Sequence, residues 1–534
     1  MKHKYSLGID FGTLSARATL WDLGTAQETA SVAVQYPHGV IEDALPVSGE
    51  KLPAEFALQD PQDYLSSMEA VVKEVLTSNS VSADQVVAIG IDATGSTVIP
   101  VNQELVPLAL TSKFRAEKHA YSKLWKHHAA QPEADDINSA LDSRAPGSLE
   151  MYGGRQSSEW LFPKALEVFR NAPEVFAATH TFIELSDWIV SQLVGKQVTS
   201  LQGAGFKGMR PLRASGVANR DLWDFIEEGF GAVEEKVATE HQLAGELAGV
   251  LTSQWSQRLG LLPEISVAVG NLDAHVAMLG AGVQGPGELV MVMGTSICDL
   301  VMHPEYRTIP NVSGAIQDGV YPGLWSYELG QAGFGDTFGW FIKNFVQAVN
   351  PTLSTTDAIE FLESEILRRG LKPTGIVGLD WFNGSREFAN SNLRGVLSGL
   401  GYSHDIFTLY QGLIESSALA QRDVITRVTE SGIPVTRILA CGGVAKNSAL
   451  IMQIFSNVIG QNIEVSNSDN LPALSAALHG LAAFEEVPLE QIAAQARKRG
   501  GTEQIYAPDN TWALEYNRIF AKYQEVAHTM ARLG

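Results

Sequence analysis

Apolar runs and amphipathic stretches alternate along this chain, and the alternation happens twice. Tyr5–Asp10, Ala16–Trp21 and Val86–Asp92 are β-favouring runs bounded by small or polar residues, which predicts strands. Between them Asp60-Pro61-Gln62-Asp63 opens an amphipathic helix, with Asp60 as N-cap and Pro61 at the first helical position. Tyr64, Met68, Val71, Val72 and Val75 fall on one face of it. Further on, Ile265–Val269 predicts a strand, Glu288–Met302 a hairpin and Arg437–Cys441 another strand. Helices are predicted over Ser403–Glu430, ending near Gly432, and over Asn447–Val458, capped by Asn447 and stopped by Gly460. Strands alternating with helices in two similar halves predict an α/β protein of two domains, 1–260 and 261–534, joined near Trp255–Pro263. The polar, irregular stretch from about Ala129 to Ala218 reads as substrate loops and not as core.

The two halves open on matching turns. Gly8-Ile9-Asp10-Phe11-Gly12-Thr13-Leu14-Ser15 and Met291-Val292-Met293-Gly294-Thr295-Ser296 each read as a strand, a Gly-Thr turn and a returning strand. Such a turn presents backbone N–H groups and a hydroxyl with no bulky side chain in the way, which suits phosphate. Two of them point to a duplicated fold that holds a nucleotide's phosphates.

Composition narrows the classes. A chain of 534 residues exceeds one ordinary core, and 45% hydrophobic with 18% charged residues is a globular balance. With 38 Lys and Arg against 60 Asp and Glu, the net charge of −22 disfavours nucleic acid and anionic membrane as partners. Two cysteines, Cys298 and Cys441, give neither a disulfide framework nor a zinc spacing and read as small buried residues. Met1-Lys2-His3-Lys4 lacks the apolar run of a signal peptide, and no unbroken apolar stretch reaches membrane-spanning length. A cytoplasmic enzyme is the expectation, and a homodimer is compatible with it.

Three stretches carry candidate chemistry. Asp10, at the mouth of the first turn, suits Mg²⁺ as well as it suits an Asx-turn. Asp273, where Val269-Gly270-Asn271-Leu272 breaks into a helix, reads either as an N-cap or as a general base toward a substrate hydroxyl. His275 beside it reads as packing. Gly442-Gly443 before Lys446-Asn447 allows close approach of an adenine, or is a plain strand-to-helix turn. The GxGxxG matches at 203–208 and 280–285 do not stand between a strand and a helix, so the dinucleotide reading fails. His127-His128 reads as a solvated pair.

In order and spacing these residues resemble the FGGY carbohydrate kinases of the actin-like, ribonuclease-H-like ATPase superfamily. The likeness rests on Gly8–Arg17, Ile91–Thr97, Gly153-Gly154 to Ser157-Ser158-Glu159-Trp160, Ala204–Lys207 and Tyr327–Gln331, and runs nearly end to end. It implies two actin-like domains flanking a deep interdomain cleft, with sugar held mainly by the first and Mg-ATP mainly by the second. Carried across by that likeness, Gly12, Thr13 and Ser15 become the first phosphate loop with Arg17 beyond, and Asp10 the magnesium-associated carboxylate. Gly294, Thr295 and Ser296 become the second phosphate loop, while Gly442, Gly443 and Asn447 border the adenosine. Asp273 becomes the base, and Gly95, Ser96, Lys207 and Glu328 hold the sugar with it. Lys207 can donate to sugar oxygens and Glu328 can accept from hydroxyls; a structural ion pair is the rival reading.

Within the family the wording is nearest the branch that phosphorylates L-ribulose in arabinose breakdown. Other pentuloses or pentitols (D-ribulose, D-xylulose, ribitol) and a non-catalytic, sugar-sensing actin-like ATPase are the alternatives. One departure stands out: residues 205–210 read Gly-Phe-Lys-Gly-Met-Arg where that branch favours His-Lys-Ala-Met-Trp.

Overall fold

The computed structural model describes residues 3–386, 388, 390, 392–499 and 504–533. They fall into two compact units. The first runs up to Gln284 and takes in Ala315–Ser326 and a segment from Ser468; the second holds Gly285–Gly314, Tyr327–Asn467 and the elements Gln504–Tyr506 and Ala513–Leu533.

In the first unit Tyr5–Phe11 is a central strand. Ser15–Asp22 returns antiparallel on one side, with Gln27–Glu28 and Val32–Gln35 beyond it. Val86–Ala93 runs parallel on the other side, followed by Ser266–Ala268. The central strands are buried on both faces, which is why they read as continuous apolar runs. Helix Pro61–Ser78 covers one face: the Asp60 carboxylate accepts from Gln62 N at 3.0 Å, and Tyr64, Met68, Val71, Val72 and Val75 are all buried against Leu7 and Ile9.

Helix Leu471–Glu485 covers the other face, and two glycines let it in. Gly8 and Gly90 are register partners on the parallel strands, and each meets the helix backbone directly. A Cβ on Gly8 would lie 1.8 Å from the Ala473 carbonyl oxygen, and one on Gly90 1.8 Å from that of Ala476. No side chain fits there. Because strand side chains alternate, the residues two positions on, Asp10 and Asp92, share this face. They stand near Asn470, the N-cap of the same helix.

The second unit repeats the plan. Glu288–Met293 is central, Ile297–His303 lies antiparallel beside it with Trp325–Gln331 next, and Arg437–Cys441 and Ile463–Val465 run parallel on the other side. Both sheets therefore have the strand order third, second, first, fourth, fifth. The duplication read from the turns is present in the topology. Helix Ile406–Glu430 starts on the Asp405 carboxylate, which accepts from Thr408 N at 3.0 Å.

Four expectations need correction. The helix expected from Asn447 begins at Ala449 and is capped by Ser448, whose hydroxyl accepts from Ile451 N at 3.1 Å; Asn447 instead ends a preceding helical turn, Gly443–Asn447. The stretch from about Ala129 to Ala218 is not loop but contributes to a second apolar core, in which Phe162 stacks on Trp223 at 4.5 Å. Its aromatics lie on several short helices, so no single helical period reveals them. His127 is fully buried, not solvated: its Nε2 lies 2.9 Å from Glu167, and its Nδ1 accepts from Ala57 N at 3.3 Å. Burial, with Lys123 close by, pulls it down to about 3, so it is neutral. Cys441 is buried as expected, but Cys298 is partly exposed. Among the described residues no helix is long and apolar enough to cross a membrane.

Candidate active site

Two carboxylates and an amide gather at one end of the first unit's sheet. Asp10 and Asp92 are register partners on parallel strands, and Asn271 pairs with Asp92 on the next, so all three side chains leave the same face. All are buried. Asp92 interacts with the neighbouring Asp10 carboxyl, and among the described residues Asn271 Oδ1 has no hydrogen-bond partner. Asp10 is paired, its Oδ2 lying 3.2 Å from Arg17 Nη1, and the Gly12 amide that an Asx-turn would use donates to Ser15 O instead. Burial raises Asp10 above the ordinary carboxylate range while Arg17 opposes the rise. Burial, then the charges of Asp10 and Asp273, push Asp92 well above that range.

Asp273 opens helix Asp273–Gly280, with Leu272 at the N-cap position. Its Oδ1 accepts from Ala274 N at 2.7 Å. Burial and the charge of Asp10 push it up to about 7, against the pull of the Ala274 and Gly95 amides and Lys207. A carboxylate near neutrality is poised to take a proton at physiological pH.

The turn Thr94–Thr97 faces Asp273. Gly95 offers its amide to that carboxylate, and a Cβ on Gly95 would sit 3.6 Å from Lys207 Cε. Ser96 holds left-handed backbone, φ 61°, and is buried. Lys207 Nζ lies 5.8 Å from the ring centre of Trp160. His275 is buried with its ring 4.3 Å from that of Phe206. Gly95, Ser96, Lys207, Asp273 and Asp10 are thus brought together in the first unit.

The first Gly-Thr turn is closed by Gly12 N donating to Ser15 O at 3.0 Å. Thr13 is fixed at both ends: its carbonyl accepts from Gln59 Nε2 at 2.7 Å and its hydroxyl from Trp125 Nε1 at 3.2 Å. The second turn is tighter, Gly294 N donating to Ser296 O at 2.9 Å. Amides of the following segment brace it, Phe334 N to Thr295 O at 2.8 Å and Gly335 N to Gly294 O at 3.2 Å. Gly442 sits on the neighbouring parallel strand's end with φ 98°, where a Cβ would be 2.4 Å from Met293 O. At Gly443 the space around a Cβ is open. Glu328 is buried in the second unit, its carbonyl accepting from Ser313 N at 2.7 Å.

His38, Asp60 and Asp63 also bring metal-capable atoms within 4.8 Å of one another. Their bonds are taken locally: Asp60 caps its helix and pairs with Arg115, and Asp63 accepts from His38 N at 2.9 Å and faces His38 Nδ1 at 2.9 Å. This cluster closes a helix start.

Residues 5–280 match the model of the FGGY family of carbohydrate kinases, N-terminal domain, and residues 289–484 that of its C-terminal domain. The chain belongs to the FGGY family of carbohydrate kinases. It is 37% identical over 537 residues to a ribulokinase of Shouchella clausii, spanning 98% of this chain and 94% of that one. To a ribulokinase of Mycolicibacterium smegmatis it is 36% identical over 532 residues, spanning 98% and 93%. In fold it resembles a xylulose kinase from Rhodospirillum rubrum, with TM-score 0.79 at 20% identity over 99% of each chain. A glycerol kinase from Plasmodium falciparum solved with ADP gives 0.75 at 16%, over 98% of each chain. The two sheets of matching strand order are the actin-like domains of this FGGY chain.

Sequence reasoning had not singled out Asp92. A signal was there: Gly90-Ile91-Asp92 repeats Gly8-Ile9-Asp10, glycine two before aspartate on neighbouring strands. Trp125 and Gln59 carry no such signal, since only the fold brings them to Thr13.

Proposed function

We propose that the chain is an ATP-dependent kinase converting L-ribulose to L-ribulose 5-phosphate, a step of L-arabinose breakdown. The near-full-length likeness to ribulokinases carries this reading. The convergence of Asp273, the Gly95 amide and Lys207 supplies its chemistry. Asp273 takes the proton of the sugar's terminal hydroxyl. That oxygen bonds the γ-phosphorus of ATP as the bond from phosphorus to the ADP oxygen breaks. Phosphoryl transfer of this kind needs positioning, charge neutralisation and one proton acceptor. Gly12, Thr13, Ser15 and Arg17 would serve the terminal phosphates on one side, with Gly294, Thr295 and Ser296 as the second loop. Gly442, Gly443 and Asn447 would border the adenosine, and Glu328 would join Gly95, Ser96 and Lys207 on the sugar.

The buried oxygens of Asp10, Asp92 and Asn271, the last without a hydrogen-bond partner among the described residues, fit a hard divalent cation, which binds oxygen ligands. Asp10 and Asp92 would hold Mg²⁺, which when bound neutralises phosphate charge. The Asp92→Asn variant is expected to weaken Mn²⁺ binding in the presence of ADP by roughly tenfold or more, read by electron paramagnetic resonance. Unchanged Mn²⁺ affinity would remove Asp92 from the site.

A coupled ADP-release assay across ketopentoses and pentitols tests the substrate. The highest kcat/KM is expected with L-ribulose. Preference for D-ribulose, D-xylulose or ribitol would overturn the named sugar, and ATP turnover indifferent to every sugar would overturn the kinase reading.

A further inference from the structure

Lys164 is a lysine where a helix would ordinarily carry an apolar residue. It lies on helix Leu161–Asn171 and is wholly buried. Its three ammonium protons meet three backbone carbonyls: Ser96 O at 2.6 Å, Leu124 O at 2.9 Å and Lys123 O at 3.3 Å. A buried cation is costly unless its donors are all used, and these are. A methionine would fill similar space with no polar atom to satisfy, so the amine and its three carbonyl contacts need a purpose.

The carbonyls it gathers belong to two functional segments. Ser96 lies on the turn whose Gly95 faces Asp273 and Lys207. Leu124 directly precedes Trp125, whose indole N–H reaches the Thr13 hydroxyl of the first phosphate turn. Ser96 occupies left-handed backbone, which a non-glycine residue keeps only where its surroundings hold it there. Other charges around Lys164 are the buried Glu184, at the end of strand Thr181–Glu184, and Glu159, Glu167 and Lys123. Glu184 faces the amides of Ser96 and Thr97, while the turn's Ser96 carbonyl is held by Lys164; burial pushes Glu184 up and pulls Lys164 down, each to about 7. Leu185 N donates to Thr97 O at 2.9 Å from the next residue along.

The geometry points to Lys164 as a positioning residue for the sugar, fixing the Gly95–Ser96 turn to the same segment that steadies Thr13. Sugar turn and phosphate turn are thereby placed as one rigid unit. This rests on the reading of the chain as a sugar kinase.

Steady-state kinetics of Lys164→Met and Lys164→Gln test it. The sugar KM is expected to rise roughly tenfold or more in Lys164→Met, and less in Lys164→Gln, which keeps two N–H donors. The ATP KM should stay within about twofold of wild type. A merely structural role would lower the melting temperature and the active fraction and leave the sugar KM of the folded protein alone; that result overturns the proposal. Trp125→Phe keeps Lys164 and is expected to lower kcat, and its effect on kcat/KM should combine with that of Lys164→Met less than multiplicatively. Should neither lysine variant accumulate, amide exchange decides: faster exchange at Gly95–Thr97 in Trp125→Phe supports the shared anchor, and unchanged exchange overturns it. Wild type without sugar-dependent ADP release would instead remove the kinase reading itself.

Discussion

Asp273→Asn is expected to lower sugar-dependent turnover by about 10² or more while leaving ADP affinity unchanged, as read by calorimetry beside the ADP-release assay. The substitution keeps the shape of the side chain and its contact with the Ala274 amide, so what it removes is the ability to accept a proton. Because burial and Asp10 push this carboxylate up to about 7, the pH profile carries its signature. The wild-type kcat/KM for sugar should climb as pH rises through about 7 on the acid side, as Asp273 gives up its proton; the residual activity of the variant should lack that limb. Stability moves the opposite way. A carboxyl raised on folding holds its proton more tightly in the folded state, so its ionisation costs stability as pH rises from the ordinary carboxylate range to about 7, and that cost persists above. The variant should therefore melt higher than wild type at pH 8 and close to it near pH 4. Such a trade of stability for activity marks a group kept for chemistry. Retained turnover at pH 8 would take Asp273 out of the reaction.

How much of this was legible in the sequence differs by level. Strands whose residues are buried on both faces announce themselves as apolar runs, so Tyr5–Phe11, Val86–Ala93, Glu288–Met293 and Arg437–Cys441 were readable almost to the residue. Caps were readable where the side chain acts locally, as at Asp60, and misread where a neighbour of the same chemistry competed, as Ser448 did with Asn447. What stayed hidden depends on distant partners. His127 is buried because Glu167, forty residues on, supplies its acceptor. Thr13 is fixed by Gln59 and Trp125, and Ser96 by Lys164, none of them near in sequence. Asp92 was the one missed carboxylate with a local trace, the repeated Gly-Ile-Asp.

That repeat has a physical meaning with a large expected consequence. In Gly8-Ile9-Asp10 and Gly90-Ile91-Asp92 the isoleucine faces the apolar core, while glycine and aspartate share the opposite face. Helix Leu471–Glu485 lies on that face, against both glycines, and begins near the two aspartates. The absent Cβ atoms set the helix's depth on the sheet, and the depth sets where its positive N-terminal end meets the carboxylates. Gly8→Ala and Gly90→Ala each place a methyl group 1.8 Å from a backbone carbonyl oxygen, a clash no rotamer relieves. The helix must lift. Each substitution is expected to cost about 3 kcal/mol or more, seen as a lower melting temperature and poor soluble yield. In whatever folds, the divalent-cation requirement should rise, because lifting the helix moves its N-terminus away from Asp10. Gly339→Ala, on helix Gly335–Phe341 with open space around its Cβ, is the matched control and should be close to neutral. If Gly8→Ala and Gly90→Ala melt like Gly339→Ala, the helix does not rest on the strands as closely as these contacts require, and its link to the carboxylates fails with it.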